Sequence, residues 1–222
     1  MSAVAVSARE GIGFIAIANP PVNGLSHRVR AGLIDALSQL CADDAIVGIV
    51  LHGAGAGFSA GGDIKEFGAP AANAAPGLSA HVHPAIEASP KTIVAAIHGY
   101  ALGGGFETAL ACHRRVAVRD AKVGLPEARI GAVPLSGTQR LPRLVGMERA
   151  IEMILTGCAY EAASLQHDVF DAVTGDQDLL DVAAALARGA PPRLVRDLPP
   201  PANAAGALSR ARASTDASAS SK

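Results

Sequence analysis

The chain has 222 residues, half of them hydrophobic, only 3% aromatic and none Trp, with a formal net charge of −1. That is enough for one sizeable domain with a core of Ala, Val, Leu and Ile, and a second full domain would be cramped. The near-neutral charge gives a nucleic-acid partner no bulk electrostatic support. Cys41, Cys112 and Cys158 lack paired spacing, which fits a reducing compartment and argues against a disulfide framework or a zinc site. The N-terminal residues have no basic segment or long apolar run of a secretory signal, and no stretch approaches the ~20 apolar residues that span a bilayer. The expectation is a cytoplasmic protein without membrane or nucleic-acid partner.

Residues 11–17 read as a strand, closed by Asn19-Pro-Pro21, which neither strand nor helix can absorb. Ser26 then stands as an N-cap, and Val29, Leu33, Ile34, Leu37 and Leu40 recur at helical spacing through Ala42. Residues 46–51 and 92–97 are short all-apolar runs, the pattern of strands covered on both faces. Residues 68–78, rich in Ala, Pro and Gly, read as a mobile surface loop ahead of a helix over 80–88. Beyond Val116 and Val123, helices are expected over 137–144, 147–156 and 178–188. This alternation predicts an α/β layered domain over 1–190. Residues 191–222, with Pro191-Pro192, Pro199-Pro-Pro201 and a Ser/Ala-rich end, read as a tail whose final ~25 residues carry no packed core.

The chemistry concentrates in two glycine-rich stretches that follow buried strands. One is Gly57-Phe-Ser-Ala-Gly-Gly-Asp-Ile-Lys-Glu66; the other, Ile97-His-Gly-Tyr-Ala-Leu-Gly-Gly-Gly-Phe-Glu107, is followed by Gly124-Leu-Pro-Glu127. Glycines let a substrate approach the backbone and leave N–H groups free to point at it. If the two strands are neighbours, both loops open at one edge of the layer, where α/β domains place ligands. Amides from the two loops then converge on one oxygen and stabilise negative charge, as an acyl thioester needs when its carbonyl becomes an enolate. Glu107 opens an apolar segment, where a carboxylate is costly unless it is used.

Other features have plainer readings. Gly53-Ala-Gly-Ala-Gly57 fails as a dinucleotide loop, because Phe58 stands where the third glycine belongs. His81 and His83 read as exposed helix histidines rather than half a metal site, and His98 and His113 as packed or hydrogen-bonded groups. Cys112 reads as a small buried hydrophobe. Asp63 reads as a cap for a short helix, Arg114-Arg115 as a solvated pair, and Arg140 and Arg143 as supports for a neighbouring helix or an oligomer surface. Lys65 reads equally as a contact for a ligand phosphate or a surface residue.

Taken in order, Asn19-Pro-Pro-Val-Asn-Gly-Leu-Ser26, Phe58-Ser-Ala-Gly-Gly-Asp-Ile-Lys65, Gly103 to Glu107, Lys122-Val-Gly-Leu-Pro-Glu127 and Gly137-Thr-Gln-Arg140 closely resemble the crotonase (enoyl-CoA hydratase/isomerase) family, from about Ile12 to Leu186. Cys112-His113 and Leu141-Pro-Arg-Leu-Val-Gly146 look most like the hydratase half of bifunctional enoyl-CoA hydratase/3-hydroxyacyl-CoA dehydrogenases. The resemblance implies a crotonase-like (ClpP/crotonase) superhelix of repeated ββα units. It implies oxyanion-hole amides at Gly62 and Gly104, and a coenzyme A channel lined by Ala60, Gly61, Gly62, Asp63, Ile64 and Lys65. It further implies that Glu127 exchanges a proton with the α-carbon while Glu107 orients and activates water. The implied substrate is an acyl-CoA thioester, with no metal or other cofactor, and the implied assembly is a homotrimer or dimer of trimers. An isomerase, or a weak acyl-CoA-binding paralogue, are the alternative readings; two glutamates favour hydration, because a proton shift needs only one acid/base.

Gly131-Ala-Val-Pro-Leu-Ser-Gly-Thr138 is one residue shorter than the glycine-rich turn that seats the second glutamate in relatives, and 165–173 lacks their glycine-containing turn into a strand. The C-terminal helical region reads as truncated, without room for a dehydrogenase domain, so a neighbouring subunit is expected to complete the pocket.

Overall fold

The computed structural model describes residues 3–66, 68–202 and 205–211. β1 (Val4–Arg9) and β2 (Ile12–Ile17) form a hairpin that turns at Glu10 and Gly11, both with positive φ. α1 (His27–Ala42) follows, with Ser26 as its N-cap: the Val29 N–H donates to Ser26 Oγ at 3.4 Å. β3 (Gly48–Gly53) leads to the first glycine loop, then to α2 (Pro70–Asn73), a π-helical turn over Leu78–Val82, and α3 (His83–Glu87). β4 (Thr92–Ile97), β5 (Tyr100–Leu102) and α4 (Gly104–Ala111) carry the second loop. β6 (Arg114–Val118) and β7 (Lys122–Gly124) precede a 3-10 turn over Pro126–Ile130, then α5 (Gly137–Val145) and α6 (Met147–Thr156). β8 (Ala159–Glu161), β9 (Ala172–Thr174) and α7 (Leu179–Gly189) complete the regular elements.

One sheet runs β1-β2-β3-β4-β6-β9, antiparallel only between β1 and β2; a smaller sheet runs β5-β7-β8. Each of β4 and β6 is followed by a short strand of the smaller sheet and then a helical segment, the ββα repeat expected from the resemblance. β4 is buried at all six positions because α7 covers it on one side and the second layer on the other. Parallel strands sealed on both faces require this unbroken apolar sequence.

Several expectations need correcting. β1 was not foreseen, since its residues after Val4 are exposed and carry little apolar pattern. The helix expected over 80–88 starts with the π turn and becomes α-helical only at His83. Arg115 is 0% exposed rather than solvated. It sits on an interior strand, and its side chain donates to the Val169 and Cys112 carbonyls at 2.8 Å each, with Asp171 alongside. His83 is likewise fully buried. Residues 195–198 dock on the domain where a loose tail was expected: Val195 is 2% exposed, Arg196 pairs with Glu87 at 3.0 Å, and Arg143 donates to the Leu198 carbonyl. Residues 205–211 are helical with Ala207 buried, and 212–222 lie outside the described residues. Among the described residues no helix is long and apolar enough to cross a membrane.

Candidate functional site

β3 and β4 are parallel neighbours, so the loops that follow them do leave the sheet at the same edge. The loops are then stitched together: the Phe58 N–H donates to the Tyr100 carbonyl and the Leu102 N–H to the Ser59 carbonyl, each at 2.9 Å. The stretch 19–26 frames the first loop. Asn23, itself at φ 53, donates through Nδ2 to the Ala54 and Gly57 carbonyls at 2.8 Å each. The Leu25 N–H donates to the Gly61 carbonyl, and Ser59 Oγ donates to the Asn23 carbonyl while accepting from the Gly61 N–H. Asp63 caps the turn Ile64–Glu66 by accepting from the Lys65 N–H at 3.0 Å. Gly62, Ile64 and Lys65 face outward, and Ile64 is 74% exposed.

Gly103, at φ 52, links β5 to α4 and donates to the Gly124 carbonyl at 2.9 Å. Gly104 is the first residue of α4, so its N–H has no partner within the helix. Among the described residues neither the Gly62 nor the Gly104 N–H donates to a protein acceptor. The two residues are adjacent: a β-carbon built on Gly104 would lie 3.5 Å from the Gly62 nitrogen. It would also meet Leu78 at 2.8 Å and Leu25 at 3.7 Å, so apolar side chains border the paired amides.

Glu107, in the first turn of α4, is 4% exposed. Its Oε1 accepts from the Gly137 N–H, at the start of α5, at 2.7 Å. Burial raises its pKa above the ordinary carboxylate value, against the opposing pull of hydrogen bonds from Gly137 and Ser136 and the charge of Arg140. Glu127 stands on the turn after β7, which pairs with β5, and its Oε1 lies 3.0 Å from where a β-carbon of Gly103 would be. Burial, with the Glu107 charge adding to it, pushes Glu127 up to about 6. Its Oε2 is buried without a hydrogen-bond partner. A carboxylate oxygen in that state is short of one donor, and a bound water or an acidic C–H supplies one.

Sequence reasoning thus placed both loops and both glutamates in one neighbourhood, but it missed what holds them. The stretch 131–138 was expected to seat Glu127; its Gly131 and Ala132 N–H groups both donate to the Glu127 carbonyl, while the Gly137 N–H holds Glu107. Asn23, Ser59, Thr108, Ser136 and the buried His83 were not singled out as supports. Only Asn23 and Ser59 carried a signal, since both fall inside the motifs. Cys112 is buried, with its thiol pushed up to about 12 by desolvation, as an inert core residue would be. His113 is a buried acceptor for the Ile93 N–H, and His98, only half-buried, hydrogen-bonds the Gly55 carbonyl.

Residues 7–199 match the family profile described as enoyl-CoA hydratase/isomerase. The chain belongs to that family. It is 46% identical over 162 residues to a probable enoyl-CoA hydratase of Bacillus subtilis, covering 71% of this chain and 63% of that protein. It is 41% identical over 181 residues to the peroxisomal bifunctional enzyme of Danio rerio, covering 81% of this chain and 25% of that one. The chain therefore spans less than two thirds of these curated relatives. Among solved structures, the enoyl-CoA hydratase of Bacillus anthracis superimposes with a TM-score of 0.77 at 32% identity, over 83% of this chain and 75% of that one. The crotonase-like fold expected for this chain is the one it has, and its family acts on acyl-CoA thioesters.

Proposed function

We propose that the chain hydrates trans-2-enoyl-CoA thioesters, adding water syn to give 3-hydroxyacyl-CoA in fatty-acid or related acyl-CoA degradation. The observation that carries this is the pair of unsatisfied amides, Gly62 and Gly104, set beside two carboxyl groups with raised proton affinity. The amides hold the thioester oxygen; as water adds at the β-carbon, electron density moves onto that oxygen. A single such donor is worth about 3–4 kcal/mol of barrier. Glu107, as carboxylate, takes a proton from the attacking water. Glu127, as acid, delivers one to the α-carbon, and a proton returns from Glu107 to Glu127 to reset the pair. Coenzyme A enters as part of the substrate, along the outward backbone of Ala60 to Lys65, and this chemistry calls on no metal.

The matched relatives named for hydratase activity support the same reading. We further infer self-association into a trimer or dimer of trimers, supported by the exposed apolar side chains of Ile130, Val133 and Leu135 on the stretch after Glu127. A cytoplasmic location fits three free thiols. Crotonyl-CoA hydration, followed by loss of the enoyl absorbance, tests the activity. Wild type turns over, while Glu107→Gln and Glu127→Gln each fall by about a hundredfold or more in kcat with coenzyme A binding kept. A wild type that binds coenzyme A without turnover, or that acts only on 3-enoyl substrates, overturns the assignment. Light scattering tests the assembly.

A further inference from the structure

Arg30 of α1 takes no part in the chemistry above, yet it is only 5% exposed. Its guanidinium donates to four acceptors. Nε reaches the Pro76 carbonyl at 2.8 Å, and Nη2 the Ala71 carbonyl at 2.8 Å. Nη1 reaches the Leu25 carbonyl at 2.9 Å and Glu66 Oε2 at 3.1 Å. Glu66 Oε1 in turn accepts from the His27 N–H at 2.8 Å, and His27 Nε2 donates to the Ala75 carbonyl at 2.8 Å. The stretch 68–78, expected to be a mobile surface loop, is thus fastened to the first turn of α1 at the carbonyls of Ala71, Ala75 and Pro76.

Two of these bonds end beside the paired amides. Leu25, held through its carbonyl, donates its own N–H to the Gly61 carbonyl at 2.8 Å, next to Gly62. Pro76 stands two residues before Leu78, the first residue of the π-helical turn, and that turn is closed by the His81 and Val82 N–H groups on the Gly77 carbonyl. The side chains of Leu25 and Leu78 meet at Gly104: a β-carbon there would lie 3.7 Å from Leu25, 2.8 Å from Leu78 and 3.5 Å from the Gly62 nitrogen. We propose that Arg30 is a positioning residue that acts through Leu25 and Leu78, holding the apolar wall against which the first carbons of an acyl group pack while the Gly62 and Gly104 amides hold its carbonyl oxygen. A guanidinium suits this task because its rigid planar fork serves several acceptors at once, which the point charge of an ammonium does not. The effect on turnover rests on the hydratase reading; the packing of the acyl group needs only that the site takes an acyl thioester.

Calorimetric affinities for free coenzyme A and for butyryl-CoA, a saturated thioester that cannot be hydrated, test this in wild type, Arg30→Met, Leu78→Ala and the double variant. The ratio of the two affinities isolates what the acyl group adds to binding. That ratio is expected to fall about fivefold or more in each single variant, with coenzyme A affinity within about twofold of wild type. Because Arg30 acts through Leu78, the fall in the double variant is smaller than the product of the two. Arg30→Lys does not restore the ratio. Amide hydrogen exchange over 74–78 speeds up in Arg30→Met and not in Leu78→Ala. An unchanged ratio in Arg30→Met, an equal loss of coenzyme A affinity, or losses that multiply fully overturn the proposal; a merely structural role moves the unfolding midpoint and leaves the ratio alone. Should Arg30→Met not fold, the other proteins decide: an unchanged ratio in Leu78→Ala, or a wild-type Arg30 Nε–H that exchanges as fast as an exposed arginine's, overturns it. Crotonyl-CoA kinetics are read alongside, with kcat/KM of Arg30→Met down about tenfold or more. Absence of wild-type turnover removes the hydratase reading and leaves the binding result standing.

Discussion

A β-carbon on Gly61 would lie 3.0 Å from the Gly104 amide nitrogen and 2.8 Å from the Leu102 carbonyl oxygen. The first glycine loop is therefore pressed against the start of α4, and Gly61 reaches this contact at φ 98, a conformation side chains rarely adopt. Gly61→Ala is expected to cost about 1–3 kcal/mol of stability. It should also push Gly104 aside and lower kcat/KM at temperatures where the variant is fully folded. Urea unfolding beside crotonyl-CoA kinetics measures both; an alanine variant with normal turnover would separate this contact from the amide pair.

Gly137 is constrained differently, by the carboxylate it serves. A β-carbon there would meet the Leu125 methyls at 2.8 and 3.2 Å and Glu107 Oε1 at 3.3 Å. Leu125 can rotate away at a modest overpacking cost, about 1–2 kcal/mol, but Glu107 must shift with it. For Gly137→Ala we expect kcat to fall about tenfold or more, with coenzyme A affinity kept. Equal losses in kcat and in binding would mean a general collapse of the loop instead.

How far the site could be read in advance follows from where its signals lie. Alternating apolar runs and the glycine clusters are local, so the strands at 46–51 and 92–97, the Ser26 cap and both loops were legible from neighbours in sequence. α1, β4 and α6 fall at the expected bounds because each has a strong period or a clean glycine or proline stop. The supports for Glu107 come from residues about thirty positions away, Ser136 and Gly137, which no local pattern joins to it. His83 sits on a short helix with an exposed His81 two residues before it, and composition could not tell the buried ring from the exposed one. Arg115 was misjudged for a related reason: a charged pair reads as solvated unless the returning segment at 169–171 is known to cover it.

Glu87 gathers two arginines of opposite character. It is buried and bonded to the buried Arg140 at 2.7 Å and to the half-exposed Arg196 at 3.0 Å. Removing Glu87 strands Arg140 in the interior, so Glu87→Ala is expected to lose about 3–5 kcal/mol. Arg196→Ala removes a partner open to solvent and should cost at most about 1 kcal/mol. Denaturant unfolding of both variants checks the ratio; similar losses would show that the docking of residues 195–197, rather than the buried pair, carries the stability.

The two catalytic carboxyls exchange one proton in the proposed cycle, and this constrains kinetics in both directions. The working form of the pair holds a single proton, on Glu127 before hydration and on Glu107 before dehydration, and these forms are tautomers with the same pH dependence. Plots of kcat/KM against pH for crotonyl-CoA hydration and for 3-hydroxybutyryl-CoA dehydration should trace one bell. Because Glu127 is held up to about 6, the basic-side decline begins above pH 6. A kcat/KM profile that falls on one side of pH only, with no bell, would rule out the shared proton.

The same shift makes Glu127 a stability probe with a definite sign. Its folded pKa, about 6, lies above the ordinary 4.5 because burial and the Glu107 charge disfavour the carboxylate. The folded state therefore binds the proton more tightly than the unfolded chain. Its contribution is fully present below pH 4.5 and is lost as pH rises through 6. At a half-buried site, with solvent screening allowed for, the loss amounts to about 1 kcal/mol. Glu127→Gln carries no charge to desolvate and escapes it, so relative to wild type the variant should gain about 1 kcal/mol between acid and neutral pH. Glu107, also raised, remains in both proteins and cancels to first order in the comparison. Urea unfolding at pH 4.5 and 7.5 reads the difference directly. A variant that loses ground on wild type as pH rises would mean the carboxylate is stabilised where it stands, leaving Glu127 a poor proton donor to the α-carbon.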